Sequence, residues 1–304
     1  NIVTVSTDDL PYEEKTIIDH SSSEISTEDA AVLLEAVRKE LETDIYKFYV
    51  GTSYRHLTIW DKGEVVELTP PHDVLGQVIG QYLPKNEALR EMMKKSYEIL
   101  ANHPINVERM KKGLNPANSI WFWGAGTRPA LAPFVEKTGH TGAMISAVDL
   151  LKGIAVGADM KVVEVEGANG GLDTNYEGKA DAAVEALLKD DLDFAYIHLE
   201  APDEMGHQGS FERKVQAIEN LDKRIIKRVT EQLEAAGTDF RMLVLPDHPT
   251  PVAIRTHVSD PVPYMLYDST NKQSHTWNYN EKEAQESGNY IDKGYTIINH
   301  LFEK

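Results

Sequence analysis

The sequence predicts an α/β protein in which a mostly parallel sheet is flanked by helices and preceded by a smaller α+β domain. From about residue 118 onward, short β-type runs alternate with helical patterns, which is typical of a parallel sheet. Before that point, helices and β-type runs follow no such alternation. A chain of 304 residues fits about two domains at roughly 150 residues each. We therefore predict one domain over residues 1–117 and a second over residues 118–304.

The first domain mixes both element types. Ser26, followed by Asp29, caps an amphipathic helix whose apolar residues recur at helical spacing. The turn at 61–63 predicts a hairpin between the β-type runs on either side of it. The predicted elements are a strand at 1–5, a helix at 26–42, β-type runs at 46–50, 54–60 and 65–68, and helices at 87–101 and 107–113.

The second domain carries the regular alternation. Its β-type runs are short and apolar, as expected for strands covered on both faces by helices. These runs are predicted at 120–123, 143–145, 162–165, 194–199, 242–245 and 262–266, and the helices from 148, at 180–188 and at 211–235.

Composition excludes several classes of protein. A net charge of −18 repels nucleic-acid phosphates, so we expect no DNA or RNA partner. The absence of cysteine excludes disulfides, thiolate zinc sites and cysteine nucleophiles. Apolar runs fall far short of the roughly 20 residues that cross a bilayer, so we expect no membrane span. No signal peptide is apparent, and a cytoplasmic location is the resulting expectation.

Aspartate and histidine occur together near three predicted strand ends of the second domain. Reactive side chains of such sheets lie just beyond the carboxyl ends of the strands, so we expect these residues to converge. Imidazole and carboxylate without thiolate suit Mn, Zn, Fe or a similar divalent ion. A single Asp–His pair is more often a turn with a helix cap, and the prediction depends on all three sites together. The candidate ligands are Asp203, His207, Asp247, His248 and His257.

The number of candidate ligands indicates an incomplete set. Five ligands are too many for one tetrahedral ion with an open position, yet too few for two fully held ions. A dinuclear centre, with ions about 3.5–4 Å apart, needs at least one more carboxylate and a nucleophile between the metals. The sequence offers no obvious candidate for either.

Several longer runs resemble the archaeal type of cofactor-independent phosphoglycerate mutase, a family of the alkaline phosphatase superfamily. The most specific are EAPDEMGH at 200–207, LPDHPTP at 245–251 and RTHVSDPVP at 255–263. Further matching runs are found at 53–56, 115–124, 146–153 and 172–179, so the resemblance extends over essentially the whole sequence.

The resemblance implies an alkaline phosphatase-like core beneath an α+β cap, and a metal-dependent interconversion of 3- and 2-phosphoglycerate in glycolysis and gluconeogenesis. A small phosphorylated substrate is the implied partner, and a phosphoserine the implied intermediate. Two divalent ions, Mn, Zn, Co or Mg, are the implied cofactors. The implied ligands are Asp203, His207 and His257 for one ion, and Asp247 and His248, with an Asp near the family's N-terminus, for the other.

Four basic residues are candidates for substrate contacts. Arg55 and His56, in a predicted strand, resemble the family's phosphate-binding positions, and a solvated strand arginine is the alternative for Arg55. Arg128 and Arg255 are the other two candidates. In such a site, arginines would hold phosphate and carboxylate in bidentate fashion and exclude water, so that the phospho-enzyme is not hydrolysed.

One part of the family pattern is missing. The family opens with a strand that ends in an Asp-Gly metal motif, followed by the nucleophilic serine, and residues 1–50 match neither feature. The resemblance therefore predicts a truncated enzyme, lacking the catalytic serine and without mutase activity by itself. Two other functions stay open: a related phosphotransferase, such as a homoserine kinase-like enzyme, and a non-catalytic module that binds metal or phosphate.

Overall fold

The first structural unit is organised around strand β1 (Ile2–Val5), all four residues of which are buried. The computed structural model describes residues 1–272 and 276–302. Strand β1 pairs antiparallel with β2 (Ile17–Asp19) and with β5 (Ser119–Ile120). The two units of the chain are Asn1–Arg128 and Pro129–Lys304. The boundary thus lies eleven residues beyond the one predicted after residue 117, because β5 completes the sheet of the first unit.

A second antiparallel pair in the first unit differs from the predicted hairpin. Strand β3 (Tyr46–Tyr49) pairs with β4 (Leu57–Trp60), and residues 65–68 form no strand. The pairing places Tyr46 opposite Trp60, with ring centroids 5.5 Å apart. The expected pairing of 54–60 with 65–68 is therefore wrong: β4 pairs with the strand before it, and an aromatic cross-strand contact stabilises that pairing.

Three helices complete the first unit: α1 (Thr27–Leu41), α2 (Glu87–Leu100) and α3 (Pro104–Lys111). The predicted cap of α1 is confirmed, because the Ser26 hydroxyl oxygen accepts a hydrogen bond from the Asp29 amide at 3.2 Å. The apolar face of α1 is buried in the core of the unit. Helical spacing of apolar residues was thus sufficient to predict both the helix and its buried face.

The second unit contains the predicted parallel sheet. Strand β6 (Gly142–Ile145) lies between β7 (Lys161–Val163) and β8 (Phe194–Ile197), and both pairings are parallel. All four residues of β6 are buried, as befits a central strand. The predicted α/β class is confirmed by this sheet and the helices packed on it.

The last two strands depart from the parallel arrangement. Strand β9 (Arg241–Val244) pairs antiparallel with β10 (Met265–Asp268). Parallel neighbours need a crossover connection, usually a helix. Residues 245–264 form no helix and contain five prolines, so this connection turns the chain back instead. The α-helices in the described part of this unit are α4 (Phe134–Thr138), α5 (Asp149–Gly157), α6 (Tyr176–Leu188), α7 (Ala201–His207), α8 (Phe211–Asn220), α9 (Lys227–Ala235), α10 (Glu281–Glu286) and α11 (Ile298–Phe302).

A π-helical turn, Leu221–Ile226, joins α8 to α9, so the predicted helix over 211–235 is continuous. Its residue Arg224 forms two hydrogen bonds to the carboxylate of Glu177 in α6, at 2.6 and 2.7 Å. Among the described residues, we find no helix with the length and apolarity needed to span a membrane.

Asn118 provides a test of the first unit's sheet. Its fully buried side chain accepts a hydrogen bond from the Val5 amide and donates one to the Val5 carbonyl, both at 2.8 Å. In Asn118→Leu, both backbone groups lose their partner, at roughly 1–3 kcal/mol for each. We expect a corresponding fall in the free energy of unfolding, measured by urea denaturation. Asn289→Leu, at an exposed site, is the control and should change it by less than about 0.5 kcal/mol. Equal effects of the two substitutions would contradict this account of the sheet.

Candidate metal centre

The site begins where β8 passes into α7, at the carboxyl edge of the parallel sheet. Helix α7 starts at Ala201, four residues after the last residue of β8. Asp203 and His207 are four residues apart in this helix and therefore share one face. The Oδ2 atom of Asp203 lies 3.3 Å from Nε2 of His207.

His257 approaches the same face of α7 from the connection between β9 and β10. Its Nε2 atom lies 3.3 Å from Oδ1 of Asp203 and 3.1 Å from Nε2 of His207. One ligand atom from each of Asp203, His207 and His257 therefore lies within 4.8 Å of the other two. The structure brings these three predicted ligands together.

The tautomer of His207 follows from the contact that its Nδ1 atom makes. Its Nδ1 atom lies 3.0 Å from the backbone carbonyl oxygen of Arg255. A carbonyl only accepts, so Nδ1 carries a proton, and in the neutral ring Nε2 presents a lone pair. In the absence of a metal ion, the 3.1 Å contact between the two Nε2 atoms is a hydrogen bond if Nε2 of His257 carries the proton. A divalent cation can replace that proton, because metal binding to imidazole displaces protons.

The other two predicted ligands lie beside this group. The ring of His248 stacks on that of His257, with centroids 3.7 Å apart and an interplanar angle of 30°. Asp247 is largely exposed, and its Oδ2 atom lies 3.3 Å from Nε2 of His248. All five side chains thus form one connected cluster, and its oxygen and nitrogen donors fit hard or borderline divalent ions such as Mn or Zn.

Close packing holds the loop after β9 against α7. The Lys214 ammonium donates a hydrogen bond to the carbonyl of Thr250 at 2.6 Å. Gly206 lies directly beneath that carbonyl, where an added Cβ would overlap it and would lie 3.0 Å from Lys214 Nζ. Burial lowers the pKa of Lys214, and the negative charge of Asp203 opposes this shift. The loop that carries Asp247 and His248 is therefore fixed to the helix that carries Asp203.

A buried lysine fixes the end of β8. Lys179 in α6 is fully buried, and its ammonium donates to the His198 carbonyl at 3.0 Å. Burial lowers the pKa of Lys179, and Glu200 nearby opposes this shift. Glu200 directly precedes α7, and its Oε1 atom lies 3.4 Å from Nδ1 of His198. These contacts tie the start of α7 to α6.

Arg255 is the one candidate substrate residue in the second unit. Its backbone is left-handed, with φ of 60°, which is uncommon for a residue other than glycine. The exposed guanidinium group lies against Gly209, just after α7, where a side chain would overlap it. This backbone conformation accompanies the carbonyl contact to His207 and leaves the charged group exposed beside Gly209.

The remaining candidates, Arg55, His56 and Arg128, belong to the first unit. Arg55 and His56 do not lie in a strand as predicted: they precede β4, in a turn closed by a 3.0 Å hydrogen bond from the Arg55 amide to the Thr52 carbonyl. Burial lowers the pKa of His56 to about 4, so its imidazole is neutral at pH 7. Arg55 and Arg128 are exposed. Of these three candidates, therefore, the two arginines carry the positive charge that a phosphate would need.

Thr250, Lys214 and Gly206 were not among the sequence-predicted site residues. Neither the lysine nor the threonine forms a metal-ligand pattern by itself. The glycine within the helical run between Asp203 and His207 is the only sequence signal, since glycine inside a helix often marks close packing.

The chain matches a known protein family and several named relatives. A model of the metalloenzyme superfamily matches residues 51–303. A protein of Methanosarcina barkeri named 2,3-bisphosphoglycerate-independent phosphoglycerate mutase is 45% identical over 293 residues, which cover 95% of this chain and 71% of that protein. A protein of the same name from Methanosarcina mazei is 43% identical over 298 residues, covering 94% of this chain and 75% of the relative.

Two solved structures resemble the chain. A protein of Pyrococcus horikoshii aligns with a TM-score of 0.70 and 28% identity, covering 87% of this chain and 65% of that one. The cofactor-independent phosphoglycerate mutase of Thermoplasma acidophilum aligns with a TM-score of 0.58 and 22% identity, covering 99% of this chain and 75% of that one. With the family match, these alignments confirm the predicted alkaline phosphatase-like fold.

Gly206 provides a test of the packing between α7 and the loop. In Gly206→Ala, the new methyl group would overlap the Thr250 carbonyl, and such overpacking costs about 1–3 kcal/mol. We expect the free energy of unfolding of the second unit to fall by this amount in urea denaturation. Gly153→Ala in α5 is the matched control, since nothing lies within 4 Å of its added Cβ. It should be neutral or stabilising by up to about 1 kcal/mol. If Gly206→Ala were as stable as this control, the packing described here would be wrong.

Proposed function

This chain belongs to the metalloenzyme superfamily and to its cofactor-independent phosphoglycerate mutases, and from this membership we propose that it serves the interconversion of 3- and 2-phosphoglycerate. Its contribution is a core that binds two divalent metal ions and a phosphorylated three-carbon acid. The observation that carries the proposal is the convergence of Asp203, His207 and His257 on one face of α7.

Two groups of ligands would hold the ions. Asp203, His207 and His257 would hold one, and Asp247 and His248 would contribute to the second. Bound metal ions of this kind neutralise charge on the transferring phosphoryl oxygens and lower the pKa of an attacking hydroxyl. Mn, Zn, Co and Mg all accept such nitrogen and oxygen ligands.

The chain's own cations would bind the substrate. Arg255 lies beside the histidine cluster, with its guanidinium exposed and its carbonyl fixed on His207. An arginine in that place can grip a phosphate through two parallel hydrogen bonds. Arg55 and Arg128 are the corresponding candidates in the first unit. Because the Arg255 backbone is already fixed, only its side chain would have to be ordered when phosphate binds.

The nucleophile is not assigned to a residue of this chain. In the family resemblance it is a serine that follows an Asp-Gly motif, upstream of the matching runs. The chain spans about seven tenths of the Methanosarcina relatives. In the family resemblance that serine and one further carboxylate ligand lie upstream of the matching runs, and we propose that neither is supplied by these 304 residues.

Metal should stabilise the second unit. At a free Mn²⁺ concentration 100-fold above the dissociation constant, binding to the folded state alone adds about 2.7 kcal/mol. For a unit of this size, that amounts to a rise in Tm of roughly 5–10 °C, which EDTA should reverse. His257→Gln removes one ligand and should abolish most of the rise, whereas His140→Gln, outside the cluster, should leave it unchanged. An equal rise for both variants, or no rise in the wild type, would count against the site.

Activity provides the second test. We expect the 304-residue chain with Mn²⁺ to bind 3-phosphoglycerate in calorimetry without converting it to 2-phosphoglycerate in ³¹P NMR. Fusion to the upstream segment of the Methanosarcina barkeri relative should confer turnover, and Asp203→Asn in the fusion should abolish it. Rapid turnover by the unfused chain would refute the proposal that these 304 residues do not supply the nucleophile.

The same preparation separates the alternatives. ATP-dependent phosphorylation of homoserine by the fusion, without mutase turnover, would identify a related phosphotransferase. Binding of metal and phosphoglycerate without turnover by chain or fusion would identify a non-catalytic module. Either result would refute the proposed reaction.

A further inference from the structure

Thr250 occupies a central position in the candidate metal centre without being a candidate ligand. It lies three residues after Asp247 in the proline-rich connection that follows β9, and only 3% of its surface is exposed. A buried hydroxyl group needs hydrogen-bond partners, because an unpaired one costs free energy. The partners of Thr250 are both predicted metal ligands.

The hydroxyl group joins two ligands that come from different parts of the chain. It donates a hydrogen bond to Oδ1 of Asp203, the first ligand of α7. The same oxygen lies 3.3 Å from Nδ1 of His248, two residues earlier in the loop. A hydroxyl has one proton to donate and two lone pairs with which to accept. Since the proton is used on the carboxylate, the imidazole must be the donor in the second contact.

This assignment fixes the tautomer of His248. A proton on Nδ1 leaves Nε2 of the neutral ring with a lone pair, and that atom faces Oδ2 of Asp247 at 3.3 Å, as two ligands of one metal ion would. His207 has the same arrangement, because its Nδ1 donates to the carbonyl of Arg255. Metal-bound histidines generally donate their second ring N–H to such a partner, which sets the ring orientation and raises its basicity as a ligand.

The backbone of Thr250 is held as firmly as its side chain. Its carbonyl accepts the 2.6 Å hydrogen bond from Lys214 of α8 and lies against Gly206 of α7. The hydroxyl therefore cannot move relative to Asp203 without disturbing both helices. One residue thus sets the separation between the ligands of α7 and those of the loop.

From these contacts we propose that Thr250 is a positioning residue of the metal centre. Its hydroxyl orients the carboxylate of Asp203 and holds the proton of His248 on Nδ1, so that each of the two ligands keeps a lone pair for a metal ion. The inference deepens the proposed function and rests on it for the metal itself, whereas the tautomer of His248 is a property of the metal-free chain.

Substitution of the hydroxyl tests the proposal. Thr250→Val keeps the shape and removes both hydrogen bonds, so we expect Mn²⁺ binding in isothermal titration calorimetry to weaken by roughly 10–100-fold. The visible absorption bands of bound Co²⁺ should also change, since they report ligand geometry. Thr250→Ser retains the hydroxyl and should bind within about threefold of the wild type. The matched control is Thr230→Val in α9, where the lost hydrogen bond is to the Ile226 carbonyl and metal binding should be unchanged.

These results would distinguish a positioning role of Thr250 from a role in stability alone. A merely structural role would lower the thermal stability of Thr250→Val and leave the Co²⁺ spectrum of the folded protein as in the wild type. Equal Mn²⁺ affinity and equal Co²⁺ spectra for Thr250→Val and the wild type would overturn the proposal. Weak binding by Thr250→Ser, in which the hydroxyl is present, would also overturn it.

A measurement on the wild-type chain avoids dependence on a folded variant. Long-range ¹⁵N–¹H NMR of the metal-free protein, above the pH at which its imidazoles are protonated, should show His248 with its proton on Nδ1. A proton on Nε2 would refute the role of Thr250 even if metal binds. Conversely, absence of Mn²⁺ binding by the wild type, with the Nδ1 tautomer observed, would refute the proposed function and leave the hydrogen-bond assignment intact.

Discussion

The site depends on one electrostatic constraint: the Nε2 atoms of two imidazoles and the oxygens of one carboxylate face each other at about hydrogen-bond distance. Nε2 of His207 lies 3.1 Å from Nε2 of His257, and each of these atoms lies 3.3 Å from one oxygen of Asp203. Because Nδ1 of His207 donates its proton to the Arg255 carbonyl, Nε2 of His207 and the Asp203 carboxylate are both acceptors, and they need a donor or a cation between them. A proton can bridge only one pair of these atoms. A divalent cation can accept lone pairs from all three side chains at once.

Local features of the chain impose this arrangement. The parallel pairing of β6 and β8 brings the start of α7 to the carboxyl edge of the sheet. A helical spacing of four places Asp203 and His207 on one face, while the proline-rich loop supplies His248 and His257 from the opposite side. Gly206 allows that loop to approach the helix closely. The buried ammonium group of Lys179 and the half-buried one of Lys214 hold the elements in place through backbone carbonyls. Rigid support of this kind is what gives metal ligands a defined geometry.

The sequence predicted the architecture and the cluster better than its supports. Periodicity located α1 with its cap and buried face, and the β–α alternation identified the parallel sheet, because both signals are local. The antiparallel return of β10 was missed, since proline spacing indicates the absence of a helix but not which strand is the neighbour. Likewise, no local pattern distinguishes the pairing of β3 with β4 from a pairing of β4 with residues 65–68, because cross-strand contacts such as that of Tyr46 with Trp60 join residues that are distant in sequence.

At the site, the five candidate ligands could be found from residue type and position relative to strand ends. Thr250 and Lys214 could not, because their importance comes from contacts across long sequence separations, 47 residues for Thr250 with Asp203 and 36 for Lys214 with Thr250. The turn that contains Arg55 and His56 was also not predicted. Residues 54–60 have an ordinary β-type sequence, which does not reveal the hydrogen bonds that close the turn.

The central claim is that a cation belongs between Asp203, His207 and His257, and anomalous X-ray diffraction tests it directly. Crystals of the chain grown with Mn²⁺ or Zn²⁺ should give an anomalous peak at the metal's absorption edge within about 2.0–2.3 Å of a ligand atom from each of the three side chains. A fully loaded crystal with no peak at this position, or with metal bound only elsewhere on the molecule, would contradict the account.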